Sequence, residues 1–133
     1  MQAVHTDDAP QPAGHYAQAV AHNGFLFVSG QLPIDPGTGK PVDGTIEEQT
    51  NRALENILAI LRAAGSDRHL VVKTTVYVSD IELWPRVNAA YALFFGEHRP
   101  ARAVVPTREL HYGCLIEIEA VAALKAPAAE VRS

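Results

Sequence analysis

Residues 45–65 read TIEEQTNRALENILAILRAAG, and this stretch sets the class of fold. Thr45 stands as an N-cap with Glu48 three residues on, the spacing at which a hydroxyl and a carboxylate each satisfy one orphan N–H of a helix start. Ile46, Ala53, Leu54, Ile57, Leu58, Leu61 and Ala64 then recur at helical spacing, while Glu55 and Arg62 lie away from that stripe. Gly65 is placed to end the helix. One apolar stripe must be covered by another layer, and the flanking sequence supplies it.

Upstream, YAQAVAHNGFLFVSG (16–30) holds two apolar runs joined by Asn23-Gly24, a pair that accepts the positive φ angles of a type I′ turn and so predicts a hairpin. The next segment, QLPIDPGTGKPVDG (31–44), carries three prolines and three glycines and reads as a long loop. Downstream, residues 70–78 are rich in β-branched side chains and predict a strand. A second helix is expected from Ile81 or Glu82 to Phe95, with Leu83, Trp84, Val87, Tyr91, Phe94 and Phe95 on one side. Ser79 or Asp80 would cap it, Pro85 falls in its first turn and Gly96 would stop it. Ala103-Val104-Val105 forms a short run before Pro106, and residues 114–123 form the last strand. The order is strand, strand, helix, strand, helix, strand, strand. It predicts a single α+β domain over residues 1–133, a mostly antiparallel sheet with two helices on one face, preceded by an extended arm (1–14) and followed by a tail (124–133).

In the last strand Ile116, Ile118 and Ala120 face one way, and Leu115, Glu117, Glu119 and Val121 the other. The second face, two carboxylates between apolar residues, fits either a solvent-facing sheet or a subunit interface with clefts between protomers.

A chain of 133 residues with 47% hydrophobic and 20% charged residues is globular in composition. Eleven Lys and Arg against fifteen Asp and Glu give a net charge of -4, with no basic run, so the electrostatic footprint of a nucleic-acid or anionic-membrane binder is missing. No apolar stretch approaches the roughly 18 residues of a transmembrane helix. The start, MQAVHTDDAPQPAG, does not read as a signal peptide, so a cytoplasmic protein is expected.

Phosphate-loop, dinucleotide, zinc-protease and nucleophile-elbow motifs are absent. The lone Cys114 forms no intramolecular disulfide and reads as a small buried group, and six histidines lack ligand spacing and read as surface or capping residues. Ser29 lies near a strand end with no base in view, which fits a hydroxyl bonded to local backbone as well as a site residue. Arg102 sits where an apolar strand begins, and its forked, permanently charged guanidinium matches a carboxylate. Glu117, on a candidate neighbouring strand, suits a base or a water-orienting group, and a structural Arg102–Glu117 ion pair is the alternative.

AGHYAQAV, FLFVSGQLPIDPGTGK, IEEQTNRALENILAILRAAG, VVKTTVYVSD, VNAAYALFFGEHRPARAVV and LIEIEAVA, in this order over residues 10–123, resemble the Rid family. Its members are imine/enamine deaminases, also called YjgF or endoribonuclease L-PSP proteins. The resemblance implies a chorismate-mutase-like fold and a homotrimeric barrel with active sites between subunits. It implies hydrolysis of 2-imino or 2-enamino acids such as 2-aminoacrylate and 2-aminocrotonate, with no metal or organic cofactor. It assigns Arg102 to the substrate carboxylate, Glu117 to the hydrolytic water, and Tyr16, Ser29 and the backbone at Val104 to the pocket. Three other readings stay open at this point: a same-fold enzyme for a pathway-specific imine or amino-muconate-like acid, a non-catalytic small-acid-binding trimer, and a ribonuclease, which the acidic balance disfavours. His15, Val104, Pro106 and His111-Tyr112 depart from the family pattern, and His111 or Tyr112 is expected to narrow or repolarise the cleft.

Overall fold

The capping box forms as the sequence requires. In a computed structural model, which describes residues 1–125, Thr45 Oγ1 accepts from the Glu48 N–H at 3.2 Å and Glu48 Oε1 accepts from the Thr45 N–H at 2.9 Å. Helix α1 (Ile46–Ala63) follows, burying Leu54, Ile57, Ile60 and Leu61. The Asn23-Gly24 turn, with φ of 52° and 81°, joins β2 (Ala19–His22) to β3 (Phe25–Gln31).

Strand β4 (Val71–Val78) is entered through a 3-10 turn at Arg68–Leu70. The second helix divides in two. Ile81–Leu83 form a 3-10 turn capped by Asp80, which accepts from the Glu82 N–H at 3.0 Å, and α2 (Trp84–Phe95) begins only there. Pro85 explains the break, because a residue with fixed φ and no N–H is at home in the first turn of an α-helix and nowhere later. Strands β5 (Ala101–Pro106) and β6 (Ile116–Ala123) complete the chain order.

The six strands form one mixed sheet in the order β1-β2-β3-β6-β4-β5. All neighbours are antiparallel except β4 and β5, which are parallel across the α2 crossover. Both helices lie on one face: Leu26, Val28, Val76, Val78, Ile116, Ile118, Ala120 and Ala122 share a core with the buried sides of α1 and α2. Across the helix layer, Glu47 and Arg86 form a two-point ion pair with contacts of 2.7 and 2.6 Å, which holds the Glu47 carboxyl down at about 2.

One terminal expectation gains structure. The stretch read as an arm over residues 1–14 contributes β1 (Gln2–Val4), an edge strand paired with β2, because its backbone finds an open sheet edge. At the start of the tail expected over 124–133, the Leu124 and Lys125 N–H groups donate to Gly24 O and Gly65 O, and the rest of the expected tail lies outside the described residues.

Candidate functional site

A cleft of about 470 Å³ opens where the N-terminal segment, the end of β3, the 111–113 turn and the start of β6 meet. Glu117, Tyr16 and Ser29 line it, together with Gly30, His111 and Tyr112. Each is delivered by a feature of the chain. Glu117 alternates with buried Ile116 and Ile118, so it points from the sheet face opposite the helices. Ser29 and Gly30 sit in a register shift of β3 against β6, between the pairs Val28–Ala120 and Gln31–Ile118. Such bulges re-aim side chains at the ends of sheets. Tyr16 is fixed by its hydroxyl, which accepts from the Ala13 N–H at 3.3 Å.

Gly30 is required by close approach. A Cβ there would stand 2.6 Å from Glu117 Oε2, so the carboxylate lies flat against the glycine backbone. Burial raises the Glu117 pKa above its ordinary value, opposed by the charge of His111 and reinforced by Glu119. The Ser29 hydroxyl donates to Ala17 O at 2.6 Å, so it stands at the cleft wall with its proton committed to backbone.

Arg102 and Val104 lie elsewhere. Arg102 pairs in register with buried Thr74, which places it on the helix face of β5. Its guanidinium carbon stands 4.6 Å from the ring centres of both Trp84 and Tyr91, and Nη1 donates to Asn88 Oδ1 at 3.1 Å. Val104, two residues on, packs against the core on the same side. The expected adjacency of Arg102 and Glu117 is therefore corrected: β4 lies between β5 and β6, and the two side chains leave opposite faces of the sheet. The parallel α2 crossover sets β5 outside β4, while β6 returns between β3 and β4. Arg102 forms no ion pair with Glu117 and has no carboxylate partner among the described residues.

Several positioning residues have no motif that sequence reading can see. Gln18, buried at 1% exposure, accepts from the Thr6 N–H at 2.7 Å and donates to Thr6 O and Pro10 O, pinning the segment that forms one wall of the cleft. Asn56 on α1 donates to Leu32 O and Ile34 O, seating the long loop. Gln49 ties the other end of α1 to the approach to β6, accepting from the Leu115 N–H at 2.9 Å. The visible signal was a polar residue on an apolar helix face or strand, and only the paired backbone groups give it meaning. Cys114 is buried, with its thiol pKa raised by burial. Among the described residues, no three His, Cys, Asp or Glu side chains gather as a metal site, and no helix is long and apolar enough to cross a membrane.

A two-helix, six-stranded sheet with this cleft is the architecture of a known group of small proteins. The endoribonuclease L-PSP family model matches residues 6–124. A RutC family protein of Pyrococcus horikoshii is 48% identical over 91% of this chain and 96% of its own. A solved structure from Thermotoga maritima superposes with a TM-score of 0.91 at 48% identity, covering 95% of this chain and 99% of that one. Escherichia coli TdcF, solved with bound serine, superposes at 0.89 with 34% identity over 94% of this chain and 100% of its own. The chain belongs to the endoribonuclease L-PSP family, whose members also carry the names RutC and YjgF. The YjgF-like fold expected from sequence is the fold observed.

Proposed function

We propose that this protein hydrolyses 2-imino acids and their enamine tautomers to 2-oxo acids and ammonia, as a homotrimer whose sites combine residues of two copies. The observation that carries the reading is a pair of complementary groups kept apart within one chain. Glu117 faces a cleft with a proton affinity raised by burial, and Arg102 offers a guanidinium with no carboxylate partner on an edge strand. The same side of the sheet as Glu117 exposes two aromatic rings, Phe25 and Phe27, at 42% and 49%. A second copy packed on that face and on the free edge of β5 would cover the apolar surface and bring an Arg102 to each cleft.

In such a site Arg102 binds the substrate carboxylate through two parallel N–H donors and sets the imine carbon in place. Trp84, Tyr91 and Asn88 hold the guanidinium at one angle, which lowers the entropy lost on binding. Glu117 accepts a proton from the attacking water, the C–O bond forms at C2, and the proton passes to nitrogen. Collapse of the carbinolamine passes its hydroxyl proton to the amino nitrogen through Glu117, forms the C=O bond and breaks the C–N bond, so one imine and one water leave as one 2-oxo acid and one ammonia. The serine held by TdcF is of the size and charge of such substrates. The backbone at Val104, Tyr16 and Ser29 complete the pocket.

The test mixes two inactive variants. Arg102→Ala and Glu117→Gln are each expected to lose acceleration of ammonia release from 2-aminoacrylate generated in situ. Unfolded and refolded together, they should regain about a quarter of wild-type activity if every site takes one residue from each of two copies. No recovery, with each variant assembled normally, sinks the shared site. No acceleration by the wild type, with 2-aminoacrylate or with imines of larger side chains, sinks the reaction.

A further inference from the structure

Three rings line the cleft. His111 and Tyr112 lie in one 3-10 turn with ring centres 5.7 Å apart and planes tilted by 45°, and Tyr16 supplies a third ring to the same cleft. Tyr112 has a φ of 61°, a left-handed conformation that bulky L-residues rarely adopt, and its side chain is 61% exposed. A strained backbone that holds an exposed ring at the mouth of a cleft points to use of that ring. Tyr16 is half exposed as well, with its hydroxyl anchored.

Size and charge narrow what those rings meet. A cleft of about 470 Å³ is within the range that encloses ligands well beyond a three-carbon acid. No Lys or Arg lines it among the described residues, so no permanently charged cation in this wall awaits a second carboxylate, and His111 is the one basic side chain there. Its one carboxylate, Glu117, is engaged by the reaction and lies against Gly30. Planar apolar groups gain most from ring faces and edges, through burial and through offset or edge-on contact.

We infer that the substrates of this cleft are 2-imino acids with an uncharged aromatic side chain, and that His111 and Tyr112 are the residues that select them. The inference rests on the imine-hydrolase reading above. The side chain enters between Tyr16 and the 111–112 turn, while the imine carbon stays beside Glu117.

The experiment generates imino acids in situ from alanine, phenylalanine, arginine and glutamate with an amino-acid oxidase and catalase, and follows 2-oxo acid and ammonia above the spontaneous rate. The kcat/KM for the phenylalanine-derived imine should exceed that for the alanine-derived one by about tenfold or more. That ratio should fall towards unity in His111→Ala and in Tyr112→Gly. The glycine variant removes the ring and suits the positive φ, so loss of fold does not obscure its result. A ratio at or below unity in the wild type, a preference for the arginine- or glutamate-derived imine, or a ratio unchanged in both variants overturns the inference. Failure on every imine overturns the reaction instead. Calorimetry with phenylpyruvate and pyruvate then judges selectivity by itself, supporting it if phenylpyruvate binds at least about tenfold tighter and rejecting it otherwise.

Discussion

Gly30 and Glu117 are in close contact, and a methyl group at Gly30 cannot coexist with the carboxylate where it stands. The obstructing atom is the end of a flexible side chain, so Gly30→Ala should leave the urea midpoint almost unchanged while kcat/KM falls by about tenfold or more, the cost of a misplaced group. An equal loss in stability and activity would mean that the glycine serves the fold alone. The titration of Glu117 gives a second prediction. Its folded-state pKa is raised from 4.5 by burial, with His111 pulling it down and Glu119 pushing it up, and with Tyr77 paired beside it on β4. The acid limb of kcat/KM should therefore lie above the ordinary carboxylate range, and His111→Ala should move it higher still. Since the pKa is raised, the stability linked to this group is present at low pH and lost as pH rises through the raised value. A pH–rate profile of the two proteins decides the point.

At the scale of elements, α1 is the part most completely specified by local sequence. Its cap, stripe and stop agree, so one cap deletion has a calculable effect. Thr45→Ala removes the acceptor for the Glu48 N–H and the hydroxyl that donates to Glu48 Oε1, leaving only the backbone N–H at 45 on that carboxylate, and should cost about 1 kcal/mol, read from the shift in urea midpoint at constant slope. The same substitution should leave substrate preference unaltered, because Thr45 does not line the cleft. Helix α2 behaves differently. It begins later than its apolar spacing suggests, and what it carries on its inner side is the Trp84–Asn88–Tyr91 cradle of Arg102. The spacing of those three residues, one turn apart, is visible in the sequence, but only the parallel pairing of β4 and β5 places Arg102 against them.

For the whole molecule, the sheet face away from the helices governs the outcome. Phe27 pairs with Val121, which pairs with Lys73, and Lys73 with Ala101, so this face carries an exposed aromatic ring paired with an aliphatic side chain next to a lysine. Phe27→Glu should abolish the proposed assembly, giving the mass of one chain in multi-angle light scattering where the wild type gives three, with circular dichroism unchanged and activity lost. A wild type that runs as one chain would remove the shared site and with it the proposed role of Arg102.

Local sequence determined the elements of this protein. The Asn23-Gly24 turn, the Thr45–Glu48 box, the α1 stripe and the two-faced alternation of Ile116 to Val121 follow from short-range chemistry, where each residue's preference and its nearest neighbours agree. The motifs SGQ and IEIEA also marked Ser29 and Glu117, which do meet at one cleft. The tertiary structure decided the rest. Strand order put β4 between Arg102 and Glu117, the open edge of β2 drew residues 2–4 into the sheet, and buried Gln18 and Asn56 fastened loops whose carbonyls lie far along the chain. These depend on which backbone groups remain unpaired after the sheet closes, a long-range condition that no stretch of local sequence contains.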